Sequence, residues 1–222
     1  SFALTLSNDR VGLLHRTPKG WMPVGDCAFG SPDFDAALDY LRSSALGLSP
    51  KGITTKLVIP NSEILYLQIE APGSDANTRR RQIRTALKDK TPYPVEELVF
   101  DSWGKGPMVQ VAVVWKGTLD EAEAFADEHR FNPVSFVAIP DDGQFKGEPW
   151  FGMTKVAGTI LSAGEKVERD QDPILLSARE LAKVEPAPVA APMAAPPAPV
   201  AAAAPPVAAA VEPAPVEPPA PA

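Results

Sequence analysis

The sequence has a single cysteine, Cys27, among its 222 residues. One thiol cannot close an intramolecular disulfide, so the fold must rest on a packed core, and the chain suits a reducing compartment. Histidine is nearly as scarce, with only His15 and His129, which fall on different predicted elements. A zinc site draws about four convergent ligands, so no metal site is expected. Cys27 reads as a buried thiol and the two histidines as surface or rim residues. A Cys27–His15 nucleophile pair across adjacent strands is the enzymatic alternative. Basic residues are in deficit too: 21 Lys and Arg against 28 Asp and Glu give a net charge of −7. Phosphate neutralisation needs the opposite balance, which argues against bulk nucleic-acid binding. No apolar run approaches the ~20 residues of a membrane helix, and the first residues lack the basic-then-apolar pattern of a signal peptide. The P-loop, the Gly-x-Ser-x-Gly elbow and His-Glu-x-x-His are all missing, and no repeat at a solenoid period occurs. The expectation is a chain with no catalytic residue, no cofactor and no metal.

What is present divides the chain in two. From about Val184 to Ala222 the residues are nearly all Pro, Ala, Val and Glu, and this stretch holds half of the 26 prolines. It has no aromatic residue and no hydrophobic period, so its burial cannot offset its ordering entropy. It reads as a disordered linker or tail; as a polyproline spacer it would reach on the order of 100 Å at ~3.1 Å per residue. The alternative is that Pro186-Ala187-Pro188 and Pro196-Pro197-Ala198-Pro199 dock aromatic grooves. Roughly 150 to 180 residues remain, enough for a core. The first residue is not Met and the tail stops in mid-pattern, so both ends read as cuts in a longer protein.

Phe2 to Leu6, Val11 to His15 and Trp21 to Phe29 are apolar runs on short turns, an antiparallel meander. Ser31 is placed to cap a helix with Pro32 in its first turn; Phe34, Leu38, Leu41 and Ala45 recur at helical spacing, and Gly47 marks a stop. Lys56 to Ile59 is the next strand. Three antiparallel strands, a helix and a further strand open a ribonuclease-H-like sheet, the core of actin-like lobes. A second unit follows. Glu63 to Glu70 alternates as a strand, and Ser74 and Asp75 open a helix with Ile83 and Leu87 inward. Leu98 to Trp103 and Val109 to Trp115 form a hairpin. Thr118 and Glu121 suggest a capping box for a helix of Ala122, Phe125 and Ala126, and Val134 to Ile139 returns as a strand. The order is β-α-β-β-α-β. Beyond it, Trp150 to Leu161 is expected to hold one strand and Leu175 to Lys183 a short helix.

Three pieces of this stretch resemble the actin-like pilus assembly protein PilM and the cytoplasmic part of the type II secretion protein L. They are Leu57-Val58-Ile59-Pro60-Asn61-Ser62 with the strand after it; Ile83-Arg84-Thr85-Ala86-Leu87 with Thr91-Pro92-Tyr93-Pro94-Val95-Glu96-Glu97; and Val109 to Trp115 with Phe131-Asn132-Pro133-Val134. The resemblance covers roughly the first 140 residues. It implies an α/β (α+β) ribonuclease-H/actin-like half-lobe from residues 1–62 with 132–150, and an inserted β-α-β-β-α-(β) docking subdomain from 63–131. A poorly defined extension over 151–183 and the Pro/Ala-rich tail over 184–222 follow. In that family an Asp-x-Gly on the first strand holds metal and phosphate. The matching positions here are Thr5 and Ser7; Thr supplies no carboxylate, and Asp9 and Gly12 do not restore the pattern. No second lobe follows before the Pro/Ala tail. The expected function is a non-catalytic adaptor, not an enzyme, that binds protein partners in a bacterial pilus or secretion assembly. The expected location is cytoplasmic, including the inner face of the cytoplasmic membrane. An actin-like nucleotide-binding protein completed by another subunit or region is the alternative.

The candidate partner-binding residues are Arg80, Arg81, Arg84, Lys88 and Tyr93. Arg80, Arg84 and Lys88 recur at i, i+4 and predict one basic stripe. It reads as a solvated helix face or as a docking face for an acidic partner or an anionic surface, of lipid or nucleic acid. No aromatics interleave it, which makes nucleic acid the weakest of these. Tyr93, between two prolines, reads as a core plug in preference to an exposed anchor. Trp103 and Trp115 are expected to pack on one sheet face, pairing across their hairpin.

Overall fold

The computed structural model describes residues 1–167 and 169–176. The chain divides into Ser1–Val184 and Glu185–Ala222, and the second unit, with the expected linker, lies outside the described residues. Phe2–Leu6 (β1), Arg10–Thr17 (β2) and Gly20–Ala28 (β3) make the expected meander. The helix Phe34–Leu48 (α1) carries the chain back to Thr55–Ile59 (β4), which pairs parallel with β1. Pro133–Ala138 (β8, numbered in chain order) runs parallel to β4, and Trp150–Met153 (β9) closes the sheet antiparallel to β8. The strand order β3-β2-β1-β4-β8-β9 contains the ribonuclease-H-like arrangement predicted above. All five residues of β4 and all six of β8 are buried, as expected of parallel strands covered on both faces.

The second sheet is antiparallel, in the order β5-β7-β6, from Ile64–Glu70 (β5), Leu98–Trp103 (β6) and Met108–Trp115 (β7). The helix Ala76–Leu87 (α2) joins β5 to β6. Lys116–Glu128 (α3) leads from β7 to β8, and Ala157–Ile160 (α4) is a single turn. Leu38, Leu41 and Ala45 of α1 and Leu119, Ala122 and Ala126 of α3 enter one core cluster with Phe2, Leu4, Leu57 and Phe136. Each fully buried Leu or Phe there contributes roughly 1.5–3 kcal/mol. Ile83 and Leu87 of α2 pack instead on Ile69, Phe100, Val111 and Val113.

Two expected caps are not made. Asp33, not Ser31, precedes the first residue of α1, and no side chain caps it. The Phe34 N–H donates to the Ser31 carbonyl, so residues 31–34 form a turn before the helix. Gly47 lies inside the last turn of α1, which runs on to Leu48. Thr118 is no cap either. β7 passes into α3 without a loop, which puts Thr118 within the helix and its hydroxyl 3.5 Å from Glu63 Oε2. Asp75 caps α2 as read, accepting the Thr78 N–H at 2.9 Å. The two tryptophans do not pair, because register sets Leu98 against Trp115 and Trp103 against Gln110, at opposite ends of the hairpin.

Candidate docking surface

The α2 segment contains four arginines and no acidic residue. Arg79 is spent on structure. Its guanidinium donates to the carbonyls of Gly73, Gly104, Lys105 and Gly106 at 2.7–2.9 Å, tying the β6–β7 turn to the helix start. Arg80 lies over the Phe100 ring at 4.9 Å, and Arg81 donates to Thr78 Oγ1 at 3.3 Å. Lys88 is not on the helical stripe. The helix ends at Leu87, Lys88 has ψ 130°, and Asp89 takes the left-handed φ of 62°. The turn swings Lys88 beside Arg84, and both line a cleft of about 740 Å³ between the end of α2 and the loop at residues 91–96. Asp89 and Glu96 face the same cleft. Among the described residues, Arg80, Arg81, Arg84 and Lys88 form no ion pair.

Tyr93 lines that cleft and is 39% exposed, so it is not a core plug. Its ring stacks on Trp115, with centroids 4.4 Å apart and planes 8° from parallel. Thr91 Oγ1 accepts the Tyr93 N–H and donates to the Tyr93 carbonyl, which holds the loop in a tight turn. The Trp115 indole N–H donates to Glu97 and the Lys116 ammonium to the Glu96 carbonyl, so the loop is pinned to the β7–α3 junction. The structure thus gathers Arg84, Lys88 and Tyr93 at one cleft and leaves Arg80 on β6. Arg81 lines an adjoining groove of about 410 Å³ with Glu70 and Thr85.

The second face of the six-stranded sheet carries an arrangement that sequence reading missed. Lys56 of β4 is 8% exposed, and its ammonium donates to both carboxylate oxygens of Glu148, at 2.8 and 3.0 Å, and to Asp170 at 2.5 Å. Arg16 donates to the other oxygen of Asp170 at 2.7 Å. Arg169 donates to Asp101 of β6 at 2.5 Å and to the Glu148 carbonyl. Residues 169–176 therefore lie as a strap over this face, with Ile174 buried against Ala3, Leu14, Trp21, Val58 and Val137. The Trp21 N–H donates to the Leu175 carbonyl. Burial pushes the Glu148 carboxyl above the usual range despite Lys56, and Asp101 likewise despite Arg169. Burial also opposes ionisation of Asp170, but hydrogen bonds from Lys56 and Arg16 outweigh it and hold that carboxyl low. One signal was available: a lone lysine in the apolar strand Thr-Lys-Leu-Val-Ile demands a buried carboxylate.

The enzymatic candidates are not assembled. Register places Cys27 opposite Val11 and His15 opposite Met22. Burial raises the Cys27 thiol, and His15 lies against Phe2 with ring centroids 4.8 Å apart and planes tilted by 30°. Among the described residues no three His, Cys, Asp or Glu side chains gather to hold a metal. Thr5 faces Gly12, and its Oγ1 lies 2.5 Å from where a Cβ on Gly12 would stand, so Gly12 makes room for the threonine hydroxyl. Asp9 is turned to Ser7, whose hydroxyl donates to it at 2.8 Å.

These features define an α/β protein with a ribonuclease-H-like sheet and a second antiparallel sheet bearing a basic helix. Among solved structures the fold is similar to the cytoplasmic domain of EpsL, an inner membrane component of the type II secretion system of Vibrio cholerae. Identity is 15% over 64% of this chain and 60% of that one, with a TM-score of 0.46. It is also similar to a chain of the PilM–PilN type IV pilus biogenesis complex, at 14% identity over 61% of this chain and 46% of that one, with a TM-score of 0.45. The chain thus spans less than two thirds of either. No protein-family model and no curated protein matches it. Among the described residues no helix is long and apolar enough to cross a membrane.

Proposed function

We propose that this chain is a non-catalytic adaptor that docks a protein partner in a bacterial pilus or secretion assembly, at the inner face of the cytoplasmic membrane. Residues 63–131 are the docking subdomain in this reading. The observation that carries it is the cleft at the end of α2. There two cations without ion-pair partners among the described residues stand beside an exposed tyrosine braced on Trp115. A rigid aromatic with flanking cations has the composition of an interface anchor, in a chain whose net charge is −7. The absence of catalysis is supported by Thr5 and Ser7, which stand where the resembled family places its Asp and Gly, and by the threonine hydroxyl that fills the space over Gly12. The pilus or secretion setting rests on the Pro92-Tyr93-Pro94 segment in its sequence context. Crosslinking pull-down with the full chain tests the reading, using Arg80→Glu/Arg84→Glu/Lys88→Glu beside the parent. Envelope-assembly proteins enriched by the parent and lost with the variant support it. Recovery that the variant leaves unchanged refutes it.

The same cations favour a second reading, binding to an anionic surface. Retention on vesicles of anionic lipid that the triple variant abolishes would establish it; equal retention of both proteins removes it.

A further inference from the structure

The two edges of the β5-β7-β6 sheet are treated differently. At β6 the outer edge is blocked: Asp101 accepts the Trp150 N–H at 3.0 Å and Arg169 clamps the same carboxylate. At β5 the outer edge is open. Among the described residues the backbone of residues 65–70 pairs with β7 alone. Native proteins blunt such an edge with Lys, Pro, a bulge or a covering element, because unpaired N–H and C=O groups are a template for another strand. β5 reads Ile-Leu-Tyr-Leu-Gln-Ile-Glu and has none of these devices. Its register against β7 is unbroken over seven pairs, whereas β2–β3, β4–β8 and β8–β9 each carry a shift. Leu65, near its start, is 38% exposed.

We propose that β5 receives an extended, acidic segment of the partner protein, which adds to it as a fourth strand of this sheet. The inference rests on the docking reading above and names the chemistry of its partner. Such a strand would run beside α2, where Arg81, Gln82 and Thr85 line the 410 Å³ groove, with Glu70 at the last position of β5 its one acidic lining residue. Thr85 also lines the 740 Å³ cleft, and Leu65 shares a further hollow with Tyr93, so open edge, groove and cleft form one continuous surface. In strand addition the main chain supplies affinity and alternate side chains supply selection. Here the alternate side chains on the helix side meet Arg81 and approach Arg84 and Lys88, which favours Asp and Glu. The same cations disfavour a second copy of this chain. Antiparallel β5–β5 pairing about a two-fold axis sets α2 beside α2 on one sheet face, arginine against arginine.

The probe is a displayed library of random nine-residue peptides selected on the full chain. Selected peptides should alternate β-branched or aromatic residues with Asp or Glu, and binding should slow amide exchange across residues 65–70. Methylating every second peptide amide in one register should weaken binding roughly tenfold or more, with little effect in the other register, and Arg81→Glu should weaken it by a similar factor. Peptides that slow exchange only at residues 88–96 would overturn strand addition while leaving the docking cleft intact. Slowing at neither place would overturn both. A dimer that protects β5 without any peptide would make a second copy the occupant and overturn the acidic partner.

Discussion

Replacing Lys56 by Met should destabilise the chain by about 3–5 kcal/mol, the range for breaking a buried ion pair on one side. Glu148 is 1% exposed and loses both of its hydrogen bonds from the ammonium. Asp170 keeps Arg16 at 2.7 Å and is the smaller loser. For a domain of this size the change is a fall in melting temperature of roughly 10 °C. The loss must also depend on pH. Burial already holds the folded carboxyl of Glu148 above the usual range, and removing Lys56 raises it further. A group with a raised folded pKa gives stability that is complete below its unfolded pKa and lost as pH rises through the folded one. The deficit of the variant should therefore grow with pH above the ordinary glutamate range, by up to about 1.4 kcal/mol per unit. Urea unfolding at several pH values between 5 and 8 measures both effects. Adding Glu148→Leu should recover most of the stability, since an apolar pair of similar volume often equals a buried ion pair. A Lys56→Met loss below about 1 kcal/mol, or a double variant as unstable as the single one, would refute the clamp.

Three further outcomes follow from the geometry. Asp170, whose folded carboxyl is held low, contributes stability present above the unfolded pKa and lost as pH falls through the folded one; Asp170→Asn should flatten the acid limb of the stability profile below the ordinary aspartate range. Arg79→Ala strips donors from four carbonyls, at a cost of roughly 1.5–3 kcal/mol, and should speed amide exchange at Gly104, Lys105 and Gly106 before any other part of the β6–β7 hairpin. Isothermal titration of the full chain with Mg-ATP should show no heat above dilution, given Thr5 and Ser7 on the first hairpin; a saturable signal would favour the nucleotide-binding alternative.

The meander, α1 and β4 were legible because each signal was local; Val134 to Ile139 read locally as the closing strand of the second unit, yet β8 pairs with β4 in the six-stranded sheet. Short turns punctuate β1, β2 and β3, and the apolar run of β4 is closed by Pro60. Asp75 could be read as a cap because Thr78 follows it at hydrogen-bonding distance along the chain. The misreadings share a cause, which is that tertiary continuity replaced a local device. Thr118 has the spacing of a capping box, but β7 feeds α3 directly. Tyr93 has the flanks of a rigid plug, yet the partner that fixes it is Trp115, 22 positions away in sequence and stacked outside the core. The stripe from Arg80 to Lys88 assumed a helix one residue too long, and Lys88 turns toward the cleft because that helix stops at Leu87. The strap was beyond local reading altogether. Lys56 signalled a buried carboxylate, but Glu148 and Asp170 lie 92 and 114 residues further on, in a stretch with no hydrophobic period.

The adaptor account is tested most directly by a photocrosslinking amino acid placed at Tyr93 in cells, with the same group at Tyr40 as control. Tyr40 is 74% exposed on the outer side of α1, away from the cleft. The account predicts a crosslink to a discrete envelope-assembly protein from position 93, absent from position 40 and lost when Arg84 and Lys88 are both changed to Glu. Equal crosslinking from the two positions, or a crosslink from position 93 that survives the charge reversal, would contradict it.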